Sequence, residues 1–391
     1  MIKKLHKCLC CFLAVLLLSG CWDVINIEER GFVIGAAIDL ADKANTGENT
    51  QLTLTNQFAV PPGLGTPGQE GSGDGKAYLN LSASGESIYA IAQEMANQTS
   101  KLPFFEHLKV VIISEEVASR PQLFADVMDV FIRNRDTRRG IKVLIAKGKA
   151  KDILNIQPEN EKLPARYIDK ILQNSLTITG EMKPVRIGDI HEYLLTKNSF
   201  ILSEVTADHK KIKLEGGAVY KGDSGRLTGR LEREEMLGVD LITGEKVQGP
   251  IVVNYKNQLT TYLIEEANSK VKIIAKDPEN IDIAVTIELE GEIEETFGTG
   301  KFEDPVVIQN AEKEIAAKVR NISNETIQKV QREFEADIFG FGNHLKKFHP
   351  DTWEKINKDW EHGENYFAKS HVNVTVKAKV RTDGVVNKSG K

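Results

Sequence analysis

Residues 305–334 read PVVIQNAEKEIAAKVRNISNETIQKVQREF, and the spacing inside this stretch decides the architecture of the second half of the chain. Ile308, Ala311, Ile315, Val319, Ile322, Thr326, Val330 and Phe334 follow one another in steps of three or four. A helix places all of them on one stripe, with the charged and amide side chains around the rest of its surface. Pro305 suits a first helical turn, where the missing N–H would be unbonded in any case. The spacing predicts one helix of roughly 30 residues, long for a globular domain, ended by Gly340 and Gly342. A stripe of that length needs an apolar surface to lie on. Period-two patterns supply it at Ile212–Tyr220, Ile251–Tyr255, Leu259–Glu265, Lys270–Ala275 and Ile281–Glu290, with a short helix near Leu231–Leu237. The last of them, His371–Arg381, turns Val372, Val374, Val376, Ala378 and Val380 inward. Residues 209–380 are therefore expected to form an antiparallel sheet covered by one long helix, as one domain or two subdomains, before a polar tail at 381–391.

Upstream, the pattern is that of a layered sheet with helices packed on it. Phe32–Asp39 and Gln51–Val60 read as a hairpin across the polar turn Asn45-Thr46-Gly47-Glu48. Residues 61–76 hold six glycines and three prolines with almost nothing to bury, and so read as a mobile loop. Strands at Tyr78–Ala83, Leu108–Ile113 and Ile141–Ala146 alternate with helices. Ile88, Ile91, Ala92 and Met95 mark the first helix, and Pro121–Ile132, Pro164–Gln173 and Ile187–Thr196 the others. A change of regime at Ser199–Asp208 sets an N-terminal α+β domain at 21–200. The fold class is multidomain α+β.

The start of the chain has its own chemistry. Lysines at 3, 4 and 7 precede an apolar run from Leu9 to Leu18, too short to span a bilayer as a helix. Leu18-Ser19-Gly20-Cys21 then reads as a lipobox: residues 1–20 are a lipoprotein signal peptide, and Cys21 is diacylated and becomes the first residue. Two acyl chains, at about 0.8 kcal/mol per buried methylene, hold a domain stably at a bilayer. Cys8, Cys10 and Cys11 leave with the leader, so the mature chain has no thiol for a disulfide, a zinc site or a nucleophile. With three leader lysines gone, 48 basic residues face 56 acidic ones, a net charge near −8. That balance points away from nucleic acid.

Catalytic patterns are missing. No Gly-x-Ser-x-Gly elbow, Walker loop or His-Glu-x-x-His helix occurs, and the sequence calls for no cofactor or metal. Gly63-x-Gly65-x-x-Gly68 matches a dinucleotide fingerprint in letters, but no βαβ unit encloses it. His344 and His349 are five apart, off a common helix face, and Asp359 with His362 lacks a third ligand. Two clusters are candidate interfaces. Arg133, Arg135, Arg138 and Arg139 could grip a carboxylate, phosphate or lipid headgroup, or form a solvated turn. Phe339 and Phe341, between glycines in Asp337-Ile338-Phe339-Gly340-Phe341-Gly342, could be a docking tip or pack under the helix end.

Taken in order, these pieces resemble one family. The lipobox with Cys21-Trp22-Asp23, Glu28-Glu29-Arg30, Gly31-Phe32-Val33-Ile34-Gly35 and Asp39 resembles the opening of the Ger(x)C lipoproteins. The likeness continues through Ser84-Gly85-Glu86-Ser87, His107-Leu108-Lys109, the arginine run, Gly216-Gly217-Ala218-Val219, Gly229-x-Leu231, and the Asp337–Gly342 motif with Pro350-x-x-Trp353. The resemblance implies the C subunit of a spore nutrient-germinant receptor, a non-enzymatic lipoprotein on the outer face of the inner spore membrane. Its implied partners are the integral membrane A and B subunits and the bilayer, and its implied role is to help convert a nutrient signal into ion and dipicolinate release. It also implies three α+β domains and no catalytic residues to carry over. The competing readings are a solute-binding lipoprotein of a membrane transporter, which would show two similar lobes around a cleft, and an envelope hydrolase, which lacks a nucleophile.

Overall fold

The computed structural model describes residues 26–42, 50–61, 76–175, 183–208, 210–245, 247–255, 258–277, 279–297 and 304–381. Cys21, the Asn45–Glu48 turn, nearly all of the 61–76 loop and the tail after Arg381 lie outside them.

The first sheet is built from β1 (Arg30–Leu40), β2 (Leu52–Ala59), β3 (Tyr78–Gly85), β4 (Leu102–Phe104), β5 (Val110–Ser114), β6 (Lys142–Ala146), β7 (Phe200–Asp208), β8 (Lys211–Lys221) and β9 (Arg226–Glu232). Their order is β3-β2-β1-β5-β6-β7-β8-β9, with β4 beside the start of β1. The β1–β2 hairpin is antiparallel, as its pattern predicts. The centre, β1-β5-β6-β7, is parallel. Every residue of β5 and β6 is buried, which explains the apolar runs Val110–Ile113 and Val143–Ala146: a parallel strand is covered on both faces. Helices α1 (Ile88–Ala96), α2 (Leu123–Arg133) and α5 (Ile187–Thr196) cover one face through Met95, Phe124, Met128 and Ile190. Helices α3 (Ala150–Leu154) and α4 (Pro164–Asn174) cover the other through Ile153, Leu154 and Ile168.

The second sheet has the order β10 (Gly249–Tyr255), β11 (Gln258–Asp277), β12 (Asn280–Thr296), β13 (His371–Val380). Helix α6 (Arg233–Thr243) links the sheets, and α7 (Pro305–Lys329) lies on the second. The stripe behaves as its spacing predicts: Ala311, Ile315, Val319, Ile322, Thr326, Val330 and Phe334 are buried and Ile308 is half-buried. The end of the helix differs. After α7 a wider π turn runs over Val330–Phe334 and stops at Glu335, whose left-handed φ is 51°. Gly340 instead opens the next helix, α8 (Phe341–Phe348), ahead of α9 (Pro350–Ile356).

A further expectation is corrected. β13 pairs with β12 in parallel, so the sheet is mixed, not antiparallel throughout. A long helix intervenes between the two strands and brings the chain back to the same end, the connection a parallel pair requires. The first sheet also runs on past residue 200: β7, β8 and β9 extend it to Glu232, and the second begins only at Gly249. A period-two pattern gives a strand's two faces but not its neighbours, so β8 read equally well as part of the C-terminal sheet.

Candidate functional site

The Asp337–Gly342 motif is built into the seam between the two halves. Asp337 accepts from the backbone N–H of Phe341 at 3.1 Å and of Gly342 at 2.6 Å, and from the indole N–H of Trp360 at 2.9 Å. It thereby fixes the start of α8 with its own side chain. The Asp337 N–H donates to Glu361 Oε1 at 2.8 Å, while Glu361 Oε2 accepts from the Ser199 hydroxyl at 2.5 Å. Ser199 sits at the entrance to β7 and also accepts from Gly222 N–H at 3.2 Å. One buried carboxylate thus ties the first sheet to the second half of the chain. Burial, and the Asp337 charge beside it, push the Glu361 carboxyl up to about 7. Burial also raises Asp337, against the pull of its N–H donors.

More ties cross the seam. His362 Nδ1 pairs with Asp223 of the β8–β9 turn, and Lys221 lies 3.9 Å from Glu335. Gly229 of β9 approaches the Phe334 ring so closely that a Cβ there would stand 2.0 Å from Cε1. Beside the carboxylates is a polar cavity of about 340 Å³ lined from both halves, by Asp189, Tyr193 and Ser199 on one side and Phe339, Trp353 and Glu361 on the other.

The candidate residues fall into separate places. Phe341 is 1% exposed and Phe339 8%, with ring centroids 5.3 Å apart, so the pair packs inside the second core and is not a surface tip. All four arginines are exposed. Arg133 pairs with Asp129 one turn back at 2.6 Å, Arg138 stands 3.9 Å from Glu106, and Asn134 Oδ1 accepts from Asp136 N–H at 2.9 Å to close the turn. Arg133 rims a groove of about 590 Å³ between α1 and α2, floored by Ile88, Ala92, Phe105 and Phe131. Near the first described residue, Arg30 lies over the Phe104 ring at 4.2 Å, and Phe104 and Phe32 both meet His107 edge-on. Among the described residues no group of three or more His, Cys, Asp and Glu could hold a metal ion. Among them, too, no helix is long and apolar enough to cross a membrane.

The family model of the spore germination protein N-terminal domain matches residues 23–207. That of the spore germination B3/GerAC-like C-terminal domain matches residues 215–384. The chain is a Ger(x)C spore germination protein. Spore germination protein YndF of Bacillus subtilis (strain 168) is 30% identical over 391 residues, 96% of this chain and 95% of that protein. Spore germination protein A3 of the same strain is 30% identical over 381 residues, 97% of this chain and 98% of that protein. The crystal structure of the GerBC protein aligns with a TM-score of 0.61 at 19% identity, covering 88% of this chain and 97% of that one, which shows the shared fold.

In this Ger(x)C protein the residues that carried the resemblance have structural work to do. Asp39 is buried, and its two oxygens accept from the N–H of Ala150 at 2.7 Å and Lys151 at 3.0 Å, capping α3. Gly216 has φ +139°, and a Cβ there would stand 2.0 Å from the Leu231 carbonyl. Sequence reasoning missed Ser199, Glu361 and Gln57. Gln57 is fully buried; it accepts from Ala165 N–H at 2.9 Å and donates to the Leu154 carbonyl at 3.0 Å, joining α3 and α4 to β2. An amide and a carboxylate in otherwise ordinary polar surroundings carry no periodic signal; only the fold reveals their partners.

Proposed function

We propose that this chain is the C subunit of a spore nutrient-germinant receptor, held at the outer face of the inner spore membrane by acylated Cys21. It acts by docking to the integral A and B subunits and coupling their signal, not by turnover. The observation that carries the reading is a lipobox directly ahead of two germination-family matches that together run from residue 23 to 384. The seam supports it: Glu361, Asp337 and Asp223 clamp the halves into one scaffold, suited to transmitting a contact. A solute-binding lipoprotein would instead need two similar lobes around an open cleft.

Cys21→Ala tests the anchor. The variant is expected to leave the membrane fraction or to stay uncut, read by fractionation and intact mass. A variant that is still cut before residue 21 and sediments normally with spore membranes would refute lipid anchoring. Co-purification of the acylated protein from spore membranes is expected to bring down two integral membrane subunits.

A further inference from the structure

Three large apolar side chains stand in the open where the described chain begins: Ile27 is 69% exposed, Tyr89 63% and Leu102 48%. The backbone links them. A single turn folds Ile27 against Arg30, whose N–H bonds the Ile27 carbonyl, and Arg30 is in register with Leu102 across the parallel β1–β4 pair. Leu102 and Tyr89 in turn line the same groove between α1 and α2. Single exposed apolar residues are ordinary on any protein surface; three brought together in this way, two of them lining one groove, call for a covering partner.

The tether says which partner. Asn26 follows Cys21 by five residues, so at roughly 3.5 Å per residue its Cα lies at most about 18 Å from that of Cys21. If Cys21 is acylated, as proposed above, this end of the molecule cannot leave the membrane surface. We propose that the Ile27–Tyr89–Leu102 face is seated on the bilayer, its side chains in the interfacial layer and the tyrosine hydroxyl left in the wet headgroup zone. Charge does not drive the contact: Arg30, Lys101 and Arg133 around the face are interleaved with Glu28, Glu29, Asp129 and Asp136. Apolar contact under a short tether holds at high salt, where a headgroup-charge contact weakens. The seated face also fixes the orientation in which the rest of the scaffold is presented to membrane partners, because one tether alone would let the molecule swivel.

The test uses the acylated full mature chain in vesicles of phosphatidylcholine and phosphatidylglycerol. Cys21 is its sole cysteine and its thiol is consumed by the lipid, so Tyr89→Cys, Leu102→Cys and, as controls on the other half, Phe297→Cys and Val306→Cys each take one fluorophore. All four positions are exposed, so the fold is expected to survive, checked by thermal melting. A nitroxide in the acyl region is expected to quench labels at 89 and 102 several-fold more than at 297 and 306, unchanged in high salt. Equal quenching at all four positions in an acylated, vesicle-bound chain overturns the seated face while leaving the lipoprotein reading intact. So does protection of 89 and 102 only when the membrane subunits are present, which would make the occupant a protein. Absence of acyl mass on Cys21 overturns both.

Discussion

At the scale of single residues, Glu361 is a carboxyl group held well out of water. Its ordinary value is 4.5, and burial beside Asp337 raises it to about 7 in the folded chain. The folded state therefore binds this proton more tightly than the unfolded chain. Stability linked to it is fully present below about 4.5 and is lost as pH rises toward 7, a swing on the order of 3 kcal/mol. Glu361→Gln removes the titration while an amide oxygen can still accept from Asp337 N–H. Urea melts of the two proteins across pH 5 to 8 are expected to converge at the acid end, with the parent losing stability relative to the variant as pH rises. Parallel curves would mean that Glu361 does not titrate in this range. Exposed pairs such as Glu288 with Lys377, where a lysine lowers the carboxyl, have the opposite sign, which is why the comparison is made between variant and parent.

At the scale of elements, the seam depends on how closely β9 meets the π turn at the end of the long helix. Gly229 leaves room for Phe334, and the wider turn brings that ring inward after the stripe has run its length. Gly229→Ala forces the ring away and is expected to destabilise by about 1–3 kcal/mol, the range for overpacking. Phe334→Leu loses apolar contact alone, but it should relieve part of the glycine defect when the two are combined. A double-mutant cycle is expected to show clear coupling, and strict additivity would mean that the two do not press on each other. The long helix was legible from its step of three and four because one side of it is covered along its length, by the second sheet and by α6. Its end was not, because Glu335 adopts a left-handed turn that no residue type there advertises.

At the scale of the whole molecule, the side chains of the arginine cluster lie on the surface. Its side chains meet solvent and exposed acids, and pairs of that kind contribute about 0–1 kcal/mol. Replacing both Arg138 and Arg139 with glutamate is expected to move the unfolding free energy by no more than about 0.5 kcal/mol. If the cluster touches a receptor partner, capture of the membrane subunits should fall far more than that change explains. Equal loss of folding and capture would assign it a structural role. The two aromatic residues of the Asp337–Gly342 motif answer to a different logic, since both rings are interior and their truncation would act through the core.

The sequence alone determined the family and the strongly periodic elements, such as the β1–β2 hairpin and the long helix: periodicity reports which face of a segment avoids water, and a lipobox or an ordered set of motifs is a local string. Tertiary structure decided which sheet β8 and β9 join, that β13 lies parallel to its neighbour, and that Ser199, Asp337 and Glu361 share one buried hydrogen-bond network. β8 and β9 reach the first sheet only because β7 pairs with β6, far upstream of it, and β13 and the buried network likewise depend on partners distant along the chain. Strand pairing and the pKa of a carboxylate are set by what folding brings alongside, and no local pattern encodes that.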